Sequence, residues 1–396
     1  MSTSEIYDAV VVGGGPSGAT SAHVLARHGK RVALIDRAGR IKPCGGAIPP
    51  RLIRDYGIPE SLLCARISSA RMVAPSERTV DMPIDGGFVG MVDREVFDEY
   101  LRWRADACGA ERITGTYLRC TRDDSEGVTV HYKEKESGEE LALRTRLVIG
   151  ADGALSKVAK QEMEEPHPKY VFAYHEVLEA PEPGAAESYD GARCDVIYQG
   201  KVSPDFYGWV FPHGSKVSVG AGSAEQGFSI RQSVTDLRKA SGLADVKLVR
   251  REGAPIPMKP RKRWDNGRDI LLAGDAAGVV APASGEGIYY AMVGGDLAAL
   301  AGLEFLATGD ARALKLARKH FMKSHGRVFW ILGIMQHFWY SNDKRRERFV
   351  SMCNDPDVQE LTWQAYMNKR LVRAKPAAHM RIFFKDMAHL LGLART

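Results

Sequence analysis

Cysteine is sparse and unpatterned in this chain of 396 residues. The six, Cys44, Cys64, Cys108, Cys120, Cys194 and Cys353, fall at irregular spacings with no C-x-x-C pair. That excludes a zinc ribbon or a redox dithiol and fits a reducing compartment. Histidine supplies no metal set: the 11 residues form no H-x-x-x-H or H-E-x-x-H pair, so no metal is expected. The longest apolar run, residues 328–340, falls short of the roughly 20 residues that cross a bilayer and contains Gln336 and His337. The first residues lack the basic, apolar, small-residue order of a signal peptide, so export by that route is not expected. Gly285-Glu286-Gly287 puts glutamate where a nucleophile elbow needs serine, which argues against a serine hydrolase. Basic runs such as Lys344-Arg345-Arg346 and Arg261-Lys262-Arg263 are short and read as solvated surface. No nucleic-acid partner is expected.

What is present is globular: 44% hydrophobic and 26% charged residues. A chain longer than roughly 250 to 300 residues outgrows one core, so two domains or one with a large insertion are expected. Charge is uneven. Residues 313–396 carry 16 basic and 6 acidic side chains, net +10, leaving the rest near −4. This points to an anionic surface or ligand near that end. Residues 8–12 (DAVVV) read as a strand, 19–28 as a helix closed by Gly29, and 31–35 as a second strand. That order is a βαβ unit with a parallel sheet. Further apolar strands at 146–150 and 269–273 each run into a glycine turn, and between them residues 169–259 alternate in the manner of antiparallel sheet. From Leu297 onward the pattern is helical. The expected fold is α/β, a doubly wound domain interrupted by an antiparallel β-rich insertion.

Gly13-Gly14-Gly15-Pro16-Ser17-Gly18 satisfies G-x-G-x-x-G between the first strand and the helix. Gly13 permits the turn, Gly15 admits a pyrophosphate to the backbone, Gly18 lets helix and strand pack, and the helix N-terminus attracts the anion. Asp36, 18 residues after Gly18, can bond an adenosine ribose. This fingerprint leaves NAD and FAD open.

Gly150-Ala151-Asp152-Gly153 and Gly274-Asp275-Ala276-Ala277-Gly278, followed by Pro282-Ala283-Ser284-Gly285-Glu286-Gly287-Ile288, together resemble the flavoproteins of the p-hydroxybenzoate hydroxylase-like superfamily. The resemblance implies FAD, held by Gly13, Gly15, Ser17, Gly18, Asp36 and Arg37. Asp152 and Leu118 join that set. Asp275 is implied at ribityl or pyrophosphate oxygens, and Gly285, Gly287 and Ile288 at the isoalloxazine. Val92-Asp93-Arg94-Glu95-Val96-Phe97-Asp98 resembles the superfamily's helix start, so Arg94 is either an FAD contact or an i+4 partner of Asp98. With one G-x-G-x-x-G in the chain, NADPH is expected only as a transient electron donor, directly or through a carrier.

Pro204-Asp205-Phe206-Tyr207-Gly208-Trp209-Val210-Phe211-Pro212, then seven residues and Gly220-Ala221-Gly222, resembles the signature of geranylgeranyl reductases. Lys42-Pro43-Cys44-Gly45-Gly46-Ala47 is similar to that family's cysteine-glycine motif, and places Gly45, Gly46 and Ala47 among the implied cofactor contacts. The likeness is nearest to the reductases of chlorophyll and bacteriochlorophyll synthesis. It implies an oxidoreductase that saturates three double bonds of a geranylgeranyl group to phytyl, on the diphosphate or the (bacterio)chlorophyll ester.

An unpolarised alkene needs a hydride, a proton and a dry pocket. Tyr207, Trp209 and Phe211 alternate along one strand face, where they would line a polyprenyl tunnel and stabilise cationic character, or else form a β-sheet core stripe. Cys44 is either a proton donor or pocket wall near the flavin, or a small buried residue in a glycine turn. Tyr207 is the alternative proton donor. The catalytic candidates are therefore Cys44, Tyr207, Trp209 and Phe211. A flavin monooxygenase acting on an aromatic or isoprenoid substrate is the alternative reading, and a non-catalytic prenyl carrier a third.

The expected domains are 1–165 and 263–308 for FAD, 166–262 for a β-rich substrate domain, and 309–396 for a helical basic region. Phe383, Met387, Leu390 and Leu391 form one helical stripe, which either lies on an anionic membrane or docks on the protein's own core. The expected setting is cytoplasmic, peripheral to the inner or photosynthetic membrane, with pigment-synthesis enzymes as partners.

Overall fold

Continuous β-branched runs bounded by glycine become buried parallel strands because both sheet faces are covered. The computed structural model describes residues 6–369, apart from 39–41, 124–126, 166–167, 183, 185 and 187. The stripe from Phe383 to Leu391 lies outside the described residues. In chain order the strands are β1 (Tyr7–Val12), β2 (Val32–Asp36), β3 (Ala47–Ile48), β4 (Leu63–Ile67), β5 (Ser69–Val73), β6 (Thr79–Pro83), β7 (Val89–Val92), β8 (Glu111–Thr121), β9 (Val128–Glu134), β10 (Glu140–Gly150), β11 (Tyr170–Glu179), β12 (Arg193–Ile197), β13 (Gly208–His213), β14 (Lys216–Ser223), β15 (Leu248–Pro257) and β16 (Ile270–Leu272). The α-helices are α1 (Pro16–Arg27), α2 (Pro50–Asp55), α3 (Arg94–Asp106), α4 (Lys157–Glu162), α5 (Ile230–Ala240), α6 (Ile288–Thr308), α7 (Lys315–Trp339), α8 (Asp343–Met352) and α9 (Pro356–Asn368).

The chain forms two compact units. The first comprises the described part of Met1–Lys42, with Arg94–Tyr170 and Pro255–Trp330. Its sheet pairs β1 in parallel with β2 and β10, β2 with β8, and β10 with β16, while β9 runs antiparallel between the long ends of β8 and β10. This is the expected doubly wound α/β architecture. Helix α6 is long and apolar enough to cross a membrane by length and composition, yet it is packed into this unit. A Cβ on Gly295 would lie 2.3 Å from the Ser17 carbonyl oxygen, and Ser21 Oγ donates to the Gly295 carbonyl at 2.9 Å, so α6 and α1 meet backbone to backbone.

The second unit comprises Pro43–Asp93, Val171–Ala254 and the described part of Ile331–Thr396. It holds a seven-stranded sheet in the order β15-β11-β14-β13-β12-β5-β6 and a three-stranded sheet β3-β7-β4. These bounds differ from the four expected segments. Residues 43–93 join the inserted region because β5 pairs in parallel with β12, Ala70 opposite Cys194, and the described C-terminal helices join it because Trp363 and Tyr366 pack on the cluster of Ile67, Met91 and Cys194 and Gln359 Nε2 donates to the Asp81 carbonyl. One face of the large sheet buries Leu178, Val210, Val219 and Ala221 under Val234 and Leu237 of α5. The other face carries Trp209 and Phe211.

Candidate functional site

In the first unit the three signature glycines do different work. Gly13 has φ +106°, and a Cβ there would sit 2.3 Å from the Ala151 carbonyl oxygen. At Gly18 a Cβ would lie 1.8 Å from the Gly13 carbonyl oxygen, whereas at Gly15 it would meet nothing within 4 Å. Two glycines are thus needed for packing, and the third leaves open backbone at the N-terminus of α1, where unpaired N–H groups favour an anion. Ser17 adds a second mark: its hydroxyl is buried with no hydrogen-bond partner among the described residues. A buried orphan hydroxyl costs free energy unless a ligand completes it. Asp36 Oδ2 accepts from the Gly14 N–H at 2.8 Å, and Arg102 Nη1 lies 3.9 Å from Oδ1 while donating to the Gly14 carbonyl at 3.1 Å. Open backbone, orphan hydroxyl and carboxylate together fit the diphosphate and ribose of a dinucleotide cofactor.

Asp275, in a 3₁₀ turn after β16, is buried and ion-paired with Lys42 Nζ. Gly285, at φ +64°, and Gly287 lead into α6, whose first residue is the buried Ile288. Of the remaining predicted contacts, Asp152 lies against the Gly13 turn, its backbone nitrogen 2.9 Å from where a Gly13 Cβ would be. Asp152 accepts from Ser156 Oγ and from the Lys157 and Val158 N–H groups, so it caps α4, and burial pushes its carboxyl above the ordinary range. Arg94 is buried with both Nε and Nη2 on Asp98 at 2.7 Å, the i+4 pairing. The Leu118 carbonyl accepts from Gln161 Nε2 at 2.9 Å, and Arg37 is exposed at the end of β2.

In the second unit, Cys44 sits in a turn where the Gly46 N–H donates to its Sγ at 3.3 Å. A Cβ on Gly45 would lie 3.2 Å from the Phe211 ring. Gly46, at φ +70°, has His213 Nε2 and the Val92 carbonyl oxygen 2.6 Å from where a Cβ would be. Ala47 enters β3 opposite Met91. His213 Nδ1–H donates to the Phe211 carbonyl, and desolvation lowers the imidazole to about 4.

The aromatic triplet shares one face as expected, with ring centroids of Tyr207 and Trp209 at 6.1 Å and of Trp209 and Phe211 at 6.2 Å. Tyr207 stacks on Phe206 at 4.3 Å and approaches Tyr198 at 6.0 Å. Phe211 packs against Ile67, Met91 and Cys194. The trailing glycines make room for this face. A Cβ on Gly220 would be 2.3 Å from the Trp209 ring and 2.6 Å from His175 Cβ, and one on Gly222 would be 2.7 Å from Phe206.

Sequence reasoning passed over Lys42, Arg102, His213 and the polar partners of Trp209. A signal existed for Arg102, which follows Arg94 and Asp98 at i+8 and i+4 along α3. None existed for Ser218 or Glu252, brought beside His175 only by strand register.

A family profile described as FAD binding domain matches residues 6–312. The chain is 57% identical to the geranylgeranyl diphosphate reductase of Rhodobacter capsulatus over 98% of both chains. It is 36% identical to the Synechocystis geranylgeranyl diphosphate reductase, covering 96% of this chain and 97% of the relative. The crystal structure of a geranylgeranyl bacteriochlorophyll reductase-like protein from Thermoplasma acidophilum superposes with a TM-score of 0.79 at 20% identity, over 94% of this chain and 99% of that one.

Proposed function

This chain belongs to the geranylgeranyl reductase family of FAD-binding proteins and is a flavin-dependent reductase of carbon–carbon double bonds, and we propose that it hydrogenates a geranylgeranyl group stepwise to phytyl. The substrate is geranylgeranyl diphosphate or a geranylgeranyl-(bacterio)chlorophyll, three of the four double bonds are reduced, and NADPH is the ultimate electron source. The observation that carries the reading is the 57% identity across 98% of both chains.

Ser17, the open backbone at Gly15 and the Asp36 carboxylate would hold the diphosphate and ribose of FAD, with Asp275 and the start of α6 along the rest of the cofactor. When bound and reduced, FAD supplies the hydride. The chain's own task is then to hold the alkene dry, tolerate positive charge at the tertiary carbon and deliver one proton to the other carbon. The π faces of Tyr207 and Trp209 meet the second demand. Cys44 Sγ–H, fixed by the Gly46 N–H, is the proton donor, with the Tyr207 hydroxyl as the alternative. Peripheral binding to a membrane through the basic C-terminal region brings the enzyme to its substrate.

Anaerobic incubation of dithionite-reduced holoenzyme with geranylgeranyl diphosphate or geranylgeranyl-bacteriochlorophyll, followed by mass analysis, tests this. Sequential gains of two hydrogens, stopping after three additions, are expected. No gain without oxygen, with one oxygen atom added in air with NADPH, would overturn it in favour of a monooxygenase.

A further inference from the structure

Behind Trp209 lies a chain of buried polar groups that the proposed chemistry does not use. The indole Nε1–H donates to Ser218 Oγ at 3.1 Å, Ser218 Oγ lies 2.7 Å from His175 Nδ1, and His175 Nε2 lies 3.0 Å from Glu252 Oε2. Arg250 Nε closes the row on Glu252 Oε1 at 2.5 Å. His175 and Ser218 are 4% and 2% exposed, so their bonds are not exchanged with bulk water. Four neighbouring strands contribute, since β15, β11, β14 and β13 are consecutive in the sheet.

The proton positions follow from donor arithmetic. An indole nitrogen only donates, so Ser218 Oγ accepts from Trp209. Burial would raise the Glu252 carboxyl, but its bonds with His175 and Arg250 bring it below the ordinary range, so it is an ionised acceptor. His175 therefore donates from Nε2–H to Glu252, and its Nδ1 shares a hydrogen bond with Ser218 Oγ. Every group in the row thus has a partner. Such a fully matched buried row specifies a single side-chain orientation. Gly220 opposite Trp209 keeps the space clear that lets the indole and His175 approach.

We propose that His175, anchored by Glu252, is a positioning residue that acts through Ser218 to fix the indole plane of Trp209 for the polyprenyl substrate. The proposal rests on the reading of Trp209 as a pocket wall in the preceding subsection. Losing the row frees the ring to rotate, so binding and turnover suffer together while the cofactor site, built by other residues, keeps its FAD.

The test has two independent readouts on FAD-loaded enzyme. In protein labelled with ¹⁵N-tryptophan, the Trp209 indole resonance, identified by its loss in Trp209→Phe, should shift in Ser218→Ala and in His175→Phe. An unmoved resonance in both would overturn the network. In reduction of geranylgeranyl diphosphate, Ser218→Ala should lower kcat/KM about five- to tenfold, the scale of one buried hydrogen bond, at unchanged FAD occupancy, and Ser218→Thr should recover most of it. In the Trp209→Phe background, Ser218→Ala should cause no further loss, because no N–H is left to orient. Full additivity would overturn action through the indole. If Trp209→Phe turns over like wild type while the resonance shift is present, the network stands, but the aromatic face is not the pocket and the positioning role falls with that reading.

Discussion

Gly15 and Gly18 are three residues apart in one motif, yet a methyl group at each would meet opposite surroundings. At Gly18 it would overlap the Gly13 carbonyl, and at Gly15 it would enter open space. Gly15→Ala is therefore expected to leave apoprotein stability within about 1 kcal/mol while weakening FAD binding at least tenfold. Gly18→Ala is expected to destabilise the apoprotein by several kcal/mol, the scale of an overpacked site without room to relax. Chemical denaturation of both apoproteins, with FAD titration of Gly15→Ala, checks the pair. Equal stability losses would show that Gly15 is also a packing residue. Cys44 is governed by the same backbone constraint. Gly46 cannot accept a side chain because the Val92 carbonyl and His213 occupy the space, so the sulfur's place is set by its neighbours.

At the level of the element, β13 does two jobs, with Val210 in the core under α5 and Trp209 and Phe211 on the other face. It ends at His213, whose imidazole is held neutral by desolvation, near 4 against an unfolded value near 6.5. Between those values the unfolded chain binds the proton and the folded chain does not, so stability falls as pH drops from 6.5 towards 4, by up to roughly 3 kcal/mol. The same protonation would press a charge against Gly46 and the Cys44 turn. Denaturation curves across that window should be steeper for wild type than for His213→Gln, and parallel curves would remove His213 as the cause. Elements also set what sequence can reveal. The glycine fingerprint was readable because its spacing belongs to one strand, turn and helix that follow each other directly in the chain. The aromatic face was readable because alternation along one strand is local. The assignment of residues 43–93 to the second unit was not, because it depends on pairing Ser69 with Arg193 across 124 residues. Glu252 and Ser218 were hidden for the same reason, and the bonds of Asp152 to the start of α4 were hidden because a helix cap and a cofactor ligand draw on the same residue type.

For the whole molecule, charge is distributed so that residues 313–396 carry the net +10. Screening confines such a field to roughly 8 Å at physiological salt, which suits a surface that acts on contact with an anionic bilayer. Deleting residues 376–396 is expected to reduce co-sedimentation with anionic liposomes several-fold while FAD remains bound. Undiminished co-sedimentation would overturn the proposed membrane role of the C-terminal region.

The two units are each assembled from three separate stretches of chain, and the chain passes from one to the other five times. A single crossover of genes between relatives, at any point from Pro43 to Trp330, therefore divides both units at once. No exchange of one contiguous stretch can carry a whole unit onto a new partner. Each unit can thus be exchanged between relatives only in pieces, and every piece must fit the stretches of the same unit that stay behind.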